Sequence, residues 1–182
     1  KKWASLSVST KLQTLQEVRN NLLKDHYELL QAVAQDRNQR VGTTQHPHSP
    51  EIMALGVTGT FSNNLQLSIT MYEGLLKTPK QLRQPNNVRQ VADGLYDVDT
   101  FPHTAKEKLL FPTSTMLLRV ESKDGEPQVL DPTTKPGGIV GILGAGNTAS
   151  SVELIKALFY DNCVAVYKAH PMNAESEKVW RR

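Results

Sequence analysis

The stretch Gly138-Ile-Val-Gly-Ile-Leu-Gly-Ala-Gly-Asn147 decides how this chain is expected to fold. Its apolar, β-branched part stops at a run of small residues, and a helical pattern follows. A second apolar run, Cys163-Val-Ala-Val-Tyr-Lys168, comes next. This order predicts a strand, a glycine turn, a helix and a parallel strand, which together form a βαβ unit. In such units the backbone N–H groups of the turn can approach a phosphate-bearing ligand.

The first part of the chain predicts two long helices. Apolar side chains recur at three- and four-residue steps from about residue 10 to residue 36, which indicates an amphipathic helix that Ser9 or Thr10 can cap. Ser49-Pro50-Glu51 is a typical helix start, and the second helix is expected to run to about Leu76.

The middle of the chain predicts extended structure and a hairpin. We expect a strand over residues 88–101, a short helix or turn over 106–111, and a further strand over 113–121. Asp124-Gly125 is a strong hairpin signal, and Gln128–Leu130 is the expected partner strand.

These predictions combine into an α/β fold class with three regions. A helical front occupies residues 1–112, a hairpin occupies 113–135, and the βαβ unit occupies 136–182. Two parallel strands do not make a stable sheet by themselves. We therefore expect the unit to begin an incomplete Rossmann-like parallel sheet, and the chain to be the front part of a larger protein.

Composition argues against several classes of function. The net charge is +3, the basic residues are dispersed and aromatic residues are few, so a nucleic-acid interface is not expected. No apolar run approaches the roughly 18 residues that span a bilayer. Cys163 is the only cysteine, which fits a reducing compartment, and we expect a cytoplasmic location. No histidine spacing predicts a metal site.

The residues of the glycine turn by themselves allow two interpretations. Residues 144–149 fit the Gly-x-Gly-x-x-Gly/Ala fingerprint of an ordinary Rossmann NAD(P)-dependent reductase. That fold needs an acidic residue after the second strand, where this chain has Lys168-Ala-His170. The other alternative is a tight turn without a ligand, in a non-catalytic helical interaction module.

The chain resembles the aldehyde dehydrogenase superfamily more closely. Residues 136–147 are similar to that family's stretch Pro-x-Gly-Val-Val…Pro-Trp-Asn. Residues 164–168, with Pro171 after them, are similar to its Val-Val-Leu-Lys-Pro strand. The 21-residue gap from Asn147 to Lys168 is close to the family's usual gap. The resemblance is clearest over about residues 100–175.

The resemblance implies roles for several residues. Asn147 would hold the oxyanion of a thiohemiacetal intermediate, as a neutral donor fixed in place before charge develops. Lys168 would hydrogen-bond the adenosine ribose hydroxyls of NAD or NADP. The wall that faces the cofactor would consist of Leu143, Gly144, Ala145 and Gly146.

The departures from the family pattern shape the functional expectation. The family's glutamate three residues after the lysine is absent, so a 2′-phosphate would meet less repulsion and the expected cofactor is NAD or NADP. The family nucleophile is a later cysteine, whereas Cys163 is expected to be a small core residue. We therefore expect a fragment, inactive alone, of an aldehyde dehydrogenase-like oxidoreductase that acts on an aldehyde or acyl group and forms homo-oligomers through the hairpin.

Overall fold

The computed structural model describes residues 2–41, 49, 52, 54–85, 87–102, 105–146 and 151–182. The chain divides into two compact units, of which the first combines residues 1–80 with 131–182 and the second is residues 81–130. The fold is mixed α/β: within the described ranges, helices accompany an antiparallel three-stranded sheet and a parallel two-stranded sheet. No helix in those ranges is long and apolar enough to cross a membrane.

Helix α1, Val8–Val41, is the predicted amphipathic helix of the first unit. Its cap is Ser7 rather than Ser9 or Thr10, because the Ser7 hydroxyl accepts a hydrogen bond from the Thr10 N–H at 3.1 Å. The predicted apolar stripe is largely buried, with Leu12, Leu15, Leu29 and Val33 all in the core. This stripe holds the helix against the rest of the first unit.

Within the described residues, the second predicted helix contains a π-helical turn, Ala54–Thr58, and continues as α2, Gly59–Leu75. The Ser49 hydroxyl accepts a hydrogen bond from the Ile52 N–H at 3.4 Å, as expected for a capping serine. Pro50 and Glu51 lie outside the described residues. The buried face of α2 consists of Phe61, Leu65, Ser68, Ile69, Tyr72, Gly74 and Leu75.

The second unit contains strands β1, Val88–Ala92, β2, Leu95–Phe101, and β3, Met116–Glu121, with a short helix α3, Ala105–Leu110, between β2 and β3. Both neighbouring pairs are antiparallel, in the order β1-β2-β3. Gly94 has a φ of 65° in the turn between β1 and β2. The predicted strand over 88–101 is thus two strands joined by a glycine turn.

The predicted pairing of β3 with Gln128–Leu130 is wrong. Residues 127–130 form no strand, and β3 pairs with β2 instead. The side chain of Gln84 forms hydrogen bonds with both backbone groups of Val129. Its Oε1 accepts from the Val129 N–H at 2.8 Å, and its Nε2 donates to the Val129 carbonyl at 3.2 Å. Arg119 and Asp97 add two hydrogen bonds, at 2.7 and 3.0 Å, between β3 and β2.

The first unit also contains the parallel pair predicted from the sequence. Strand β4, Ile139–Leu143, pairs with β5, Val164–Lys168. Between them, helix α4, Ser151–Ile155, continues into a π-helical turn, Lys156–Tyr160. Helix α5, Ala174–Trp180, follows β5. This arrangement brings the carboxyl ends of β4 and β5 side by side.

Candidate functional site

The candidate site lies at the carboxyl edge of β4 and β5. The parallel register places Leu143 opposite Lys168. One residue later, the Gly144 N–H donates a hydrogen bond to the Lys168 carbonyl at 2.8 Å. The glycine turn and Lys168, which lie far apart in sequence, are therefore adjacent. Open α/β sheets bind their ligands at this edge.

Lys168 offers a cationic donor at this edge. Residues that pair across a parallel sheet point to the same face, so the Lys168 side chain lies beside that of Leu143, which is 82% exposed. Lys168 is itself exposed. Among the described residues, none forms a hydrogen bond or ion pair with its ammonium group. Binding of a ligand by this group therefore breaks no contact with the part of the chain that the structure describes.

The glycines of the turn are required by the chain's own packing. A Cβ atom at Gly144 would lie 2.9 Å from the His170 backbone nitrogen and 3.0 Å from the Lys168 carbonyl oxygen. A Cβ atom at Gly146 would lie 3.0 Å from Cε1 of the His170 ring. Both positions therefore need glycine because the segment after β5 lies against the turn.

The side chains of Asn173 and His170 fix this contact. Asn173 is buried and donates a hydrogen bond from Nδ2 to the Ala145 carbonyl at 2.9 Å. His170 Nδ1 accepts a hydrogen bond from the Met172 N–H at 3.2 Å, at the start of the 3₁₀ turn Pro171–Asn173. The short segment Lys168–Asn173 thus packs against the glycine turn and stabilises it.

Asn147, the residue expected to hold an oxyanion, lies outside the described residues, as do the other residues of 147–150. Its role stays a prediction. The structure resumes at Ser151, which is buried at the start of α4. Glu153, in α4, is exposed. Cys163 is half-buried, and its Sγ donates to the Asp161 carbonyl at 3.2 Å.

A different lysine occupies the opposite, amino end of the same strands. Lys11 of α1 is completely buried, and its Nζ donates to Asn162 Oδ1 at 2.6 Å. The ammonium also lies 5.5 Å from the centre of the Trp3 ring. Burial lowers the pKa of Lys11, and the charge of Asp131 opposes that shift. Asn162 completes the cluster by donating to the Lys135 carbonyl at 2.8 Å.

A buried carboxylate of α1 holds the start of α5. Asp36 is 3% exposed. Its oxygens accept hydrogen bonds from the Glu175 N–H at 3.0 Å, the Ser176 N–H at 2.9 Å and the Ser176 hydroxyl at 2.6 Å. These are the N–H groups that an α-helix leaves unpaired at its first turn. Asp36 is therefore committed to structure rather than to chemistry.

No protein-family model, curated protein or solved structure matches this chain.

Proposed function

We propose that this chain is part of an NAD(P)-dependent oxidoreductase of the aldehyde dehydrogenase type, and that the carboxyl edge of β4 and β5 binds the nucleotide. The observation that carries the proposal is the position of Lys168. Its exposed ammonium group lacks a partner among the described residues and lies in register with Leu143, immediately before the glycine turn.

Each residue of the edge has a defined part in the proposed complex. Lys168 donates hydrogen bonds to the adenosine ribose hydroxyls, while residues 143–146 form the neighbouring wall. A charged donor to a hydroxyl contributes about 1.5–3 kcal/mol. In the full enzyme, the nucleotide supplies hydride chemistry for oxidation of an aldehyde or reduction of an acyl group. Asn147 is the proposed oxyanion donor.

The packing of the turn supports this interpretation over the ordinary dinucleotide fingerprint. In that fingerprint the second glycine leaves space for the backbone to approach the pyrophosphate. Here the Gly144 N–H donates to the Lys168 carbonyl. Cβ atoms added at Gly144 and Gly146 would lie close to atoms of Lys168 or His170, so the space beside both glycines is already occupied. The Lys168 ammonium group, rather than the glycine backbone, is the main binding group in this proposal.

Both nicotinamide nucleotides fit the segment after β5. From Lys168 to Ala174 the chain contains no acidic residue. A 2′-phosphate therefore meets no carboxylate within that segment, and the proposal covers NADP as well as NAD.

The proposal also includes a cytoplasmic homo-oligomer that is assembled through the second unit. Strand β3 supports this assembly because Met116, Leu117 and Leu118 are 64, 51 and 57% exposed. Apolar side chains at that exposure, on an edge strand, are typical of a surface that a second chain covers.

Fluorescence titration with NADPH and NADH tests the nucleotide site. We expect Lys168→Ala to weaken the tighter-bound nucleotide about ten- to a hundredfold, because the charged hydrogen bonds are lost. Lys24→Ala is the matched control, since Lys24 is an exposed lysine of α1. Thermal unfolding should show equal stability for both variants. Equal nucleotide affinities for the two variants, or no binding by the unchanged chain, would contradict the proposal.

A further inference from the structure

The second unit contains the dipeptide Asp-Gly twice, at Asp93-Gly94 and at Asp124-Gly125. Both aspartates are exposed. Both glycines have a positive φ, which is 65° at Gly94 and 94° at Gly125. The dipeptides and the exposure of their aspartates are therefore matched, and the main difference between the two pairs is how the surrounding chain holds them.

The first pair is held by the strands around it. Asp93 and Gly94 are the two residues between β1 and β2, and Ala92 pairs with Leu95 across the turn. The Gly94 carbonyl accepts a hydrogen bond from the Ser122 N–H at 2.9 Å. A Cβ atom at Gly94 would lie 3.4 Å from the Ser122 carbonyl oxygen, so the residue after β3 lies against this turn. These contacts fix the backbone of Asp93-Gly94.

The second pair is not held in this way by the part of the chain that the structure describes. Asp124 and Gly125 lie in the loop after β3, where residues 123–126 are all exposed. Among the described residues, none forms a hydrogen bond or ion pair with residues 123–127. A Cβ atom at Gly125 would meet none of them within 4 Å apart from its neighbours in sequence. Rotation of the Asp124-Gly125 backbone therefore breaks no described contact.

An aspartate followed by glycine can react with its own backbone. The glycine nitrogen attacks the carboxyl carbon of the aspartate side chain, the new N–C bond closes a succinimide ring, and water leaves with the carboxyl hydroxyl and the amide hydrogen. Water then opens the ring. Attack at the main-chain carbonyl leaves the chain linked through the side chain, as isoaspartate, whereas attack at the other carbonyl restores aspartate. No group is oxidised or reduced, and water is the only co-reactant.

Ring closure depends on the freedom of the backbone. The carboxyl carbon and the glycine nitrogen must reach an attack geometry, with about 3–3.5 Å between them. Glycine hinders this approach least, because it has no Cβ atom. At Asp93 the necessary rotation strains the pairing of Ala92 with Leu95 and the hydrogen bond to Ser122. At Asp124 it meets no such resistance from the described residues.

We propose that Asp124 is a site of spontaneous conversion to isoaspartate, and that the β1–β2 turn protects Asp93 from the same reaction. The product carries its carboxylate on an exposed loop, where an enzyme that methylates isoaspartyl carboxylates can reach it. Asp124 lies in the second unit, whereas the residues of the proposed nucleotide site lie in the first. Either proposal can therefore fail while the other holds.

Incubation of the folded chain in ¹⁸O-labelled water tests the proposal, because each ring opening adds one labelled oxygen to the product. Peptide mass spectrometry, with fragmentation that separates isoaspartate from aspartate, then measures the reaction at each pair. We expect at least about tenfold more labelled isoaspartate at Asp124 than at Asp93. Similar amounts at the two positions, or more at Asp93, would overturn the proposal.

The same incubation in guanidinium chloride provides an internal control. Unfolding removes the β1–β2 turn, so the amount of isoaspartate at Asp93 should rise until it is similar to that at Asp124. A large excess at Asp124 that persists in the unfolded chain would show that sequence neighbours, rather than the turn, protect Asp93. That result would overturn the structural assignment.

Gly125→Ala tests the freedom of the loop. The added Cβ atom hinders the attacking nitrogen and disfavours the positive φ, so labelled isoaspartate at Asp124 should fall about tenfold. Glu126→Ala is the matched control, since Glu126 is exposed in the same loop and its substitution leaves the glycine in place. Equal amounts of isoaspartate in the two variants would overturn the assignment of loop freedom as the cause.

Discussion

Two lysines at opposite ends of the same pair of strands show how position decides the use of a charge. Lys11, at the amino end, is completely buried and donates to Asn162 at 2.6 Å. Lys168, at the carboxyl end, is exposed, and no described residue binds its ammonium group. The first charge is already committed to the fold. The second has no partner among the described residues, as a ligand-binding group requires.

The largest difference between the two ends should appear in stability. Lys11→Ala leaves a cavity and removes the donor to the Oδ1 atom of the buried Asn162 side chain. We expect a loss of about 3 kcal/mol in the free energy of unfolding. Lys11→Met keeps most of the packing and should lose less. Urea unfolding measures both, with Lys24→Ala expected to stay within about 0.5 kcal/mol. A loss for Lys11→Ala no larger than that of the control would show that the buried cluster does not support the fold.

A smaller loss of stability is expected when a side-chain atom is added at the glycine turn. Gly144→Ala places a Cβ atom 2.9 Å from the His170 backbone nitrogen. The backbone must shift to relieve that contact, and we expect a destabilisation of about 2 kcal/mol.

Gly141→Ala is the control in the same strand, since a Cβ atom there has no neighbour within 4 Å. It should be neutral, or stabilising by up to about 1 kcal/mol. Equal melting temperatures for Gly144→Ala and Gly141→Ala would mean that packing of the Lys168–Asn173 segment does not stabilise the turn.

The smallest of these effects is the pH dependence that Lys11 contributes to stability. Burial lowers its pKa in the folded protein, so between that pKa and the ordinary value of about 10.4 the unfolded chain binds more protons. Stability therefore gains a contribution as the pH rises through this window. The difference in unfolding free energy between the unchanged chain and Lys11→Met should grow over that range. A difference that does not change with pH would contradict the burial of a charged group.

Local patterns in the sequence predicted the elements that depend on local forces. The stripe of α1, the strands β4 and β5 and the helix between them were all predicted, because each carries its own periodicity and end signals. The parallel pairing followed from the order of elements, and its register places Lys168 beside the glycine turn.

Contacts between distant residues could not be predicted in the same way. Asp124-Gly125 predicted a hairpin, but the expected partner strand Gln128–Leu130 does not form. The backbone groups of Val129 form hydrogen bonds with the Gln84 side chain instead. The Asp36 cap of α5 joins residues 140 apart and leaves no local signal.

Lys11 is an intermediate case, because its place on α1 carries a local signal. It lies four residues before Leu15, on the same face of α1, so its burial follows from helical periodicity.

The most direct test of the nucleotide site is a map of backbone amide signals by ¹⁵N NMR during titration with NADPH. The account predicts that signals of Gly144, Ala145, Gly146 and Lys168 shift together and saturate, while those of Lys11 and Asn162 stay in place. Saturable shifts confined to the amino end, or no saturable shift at the glycine turn, would contradict it.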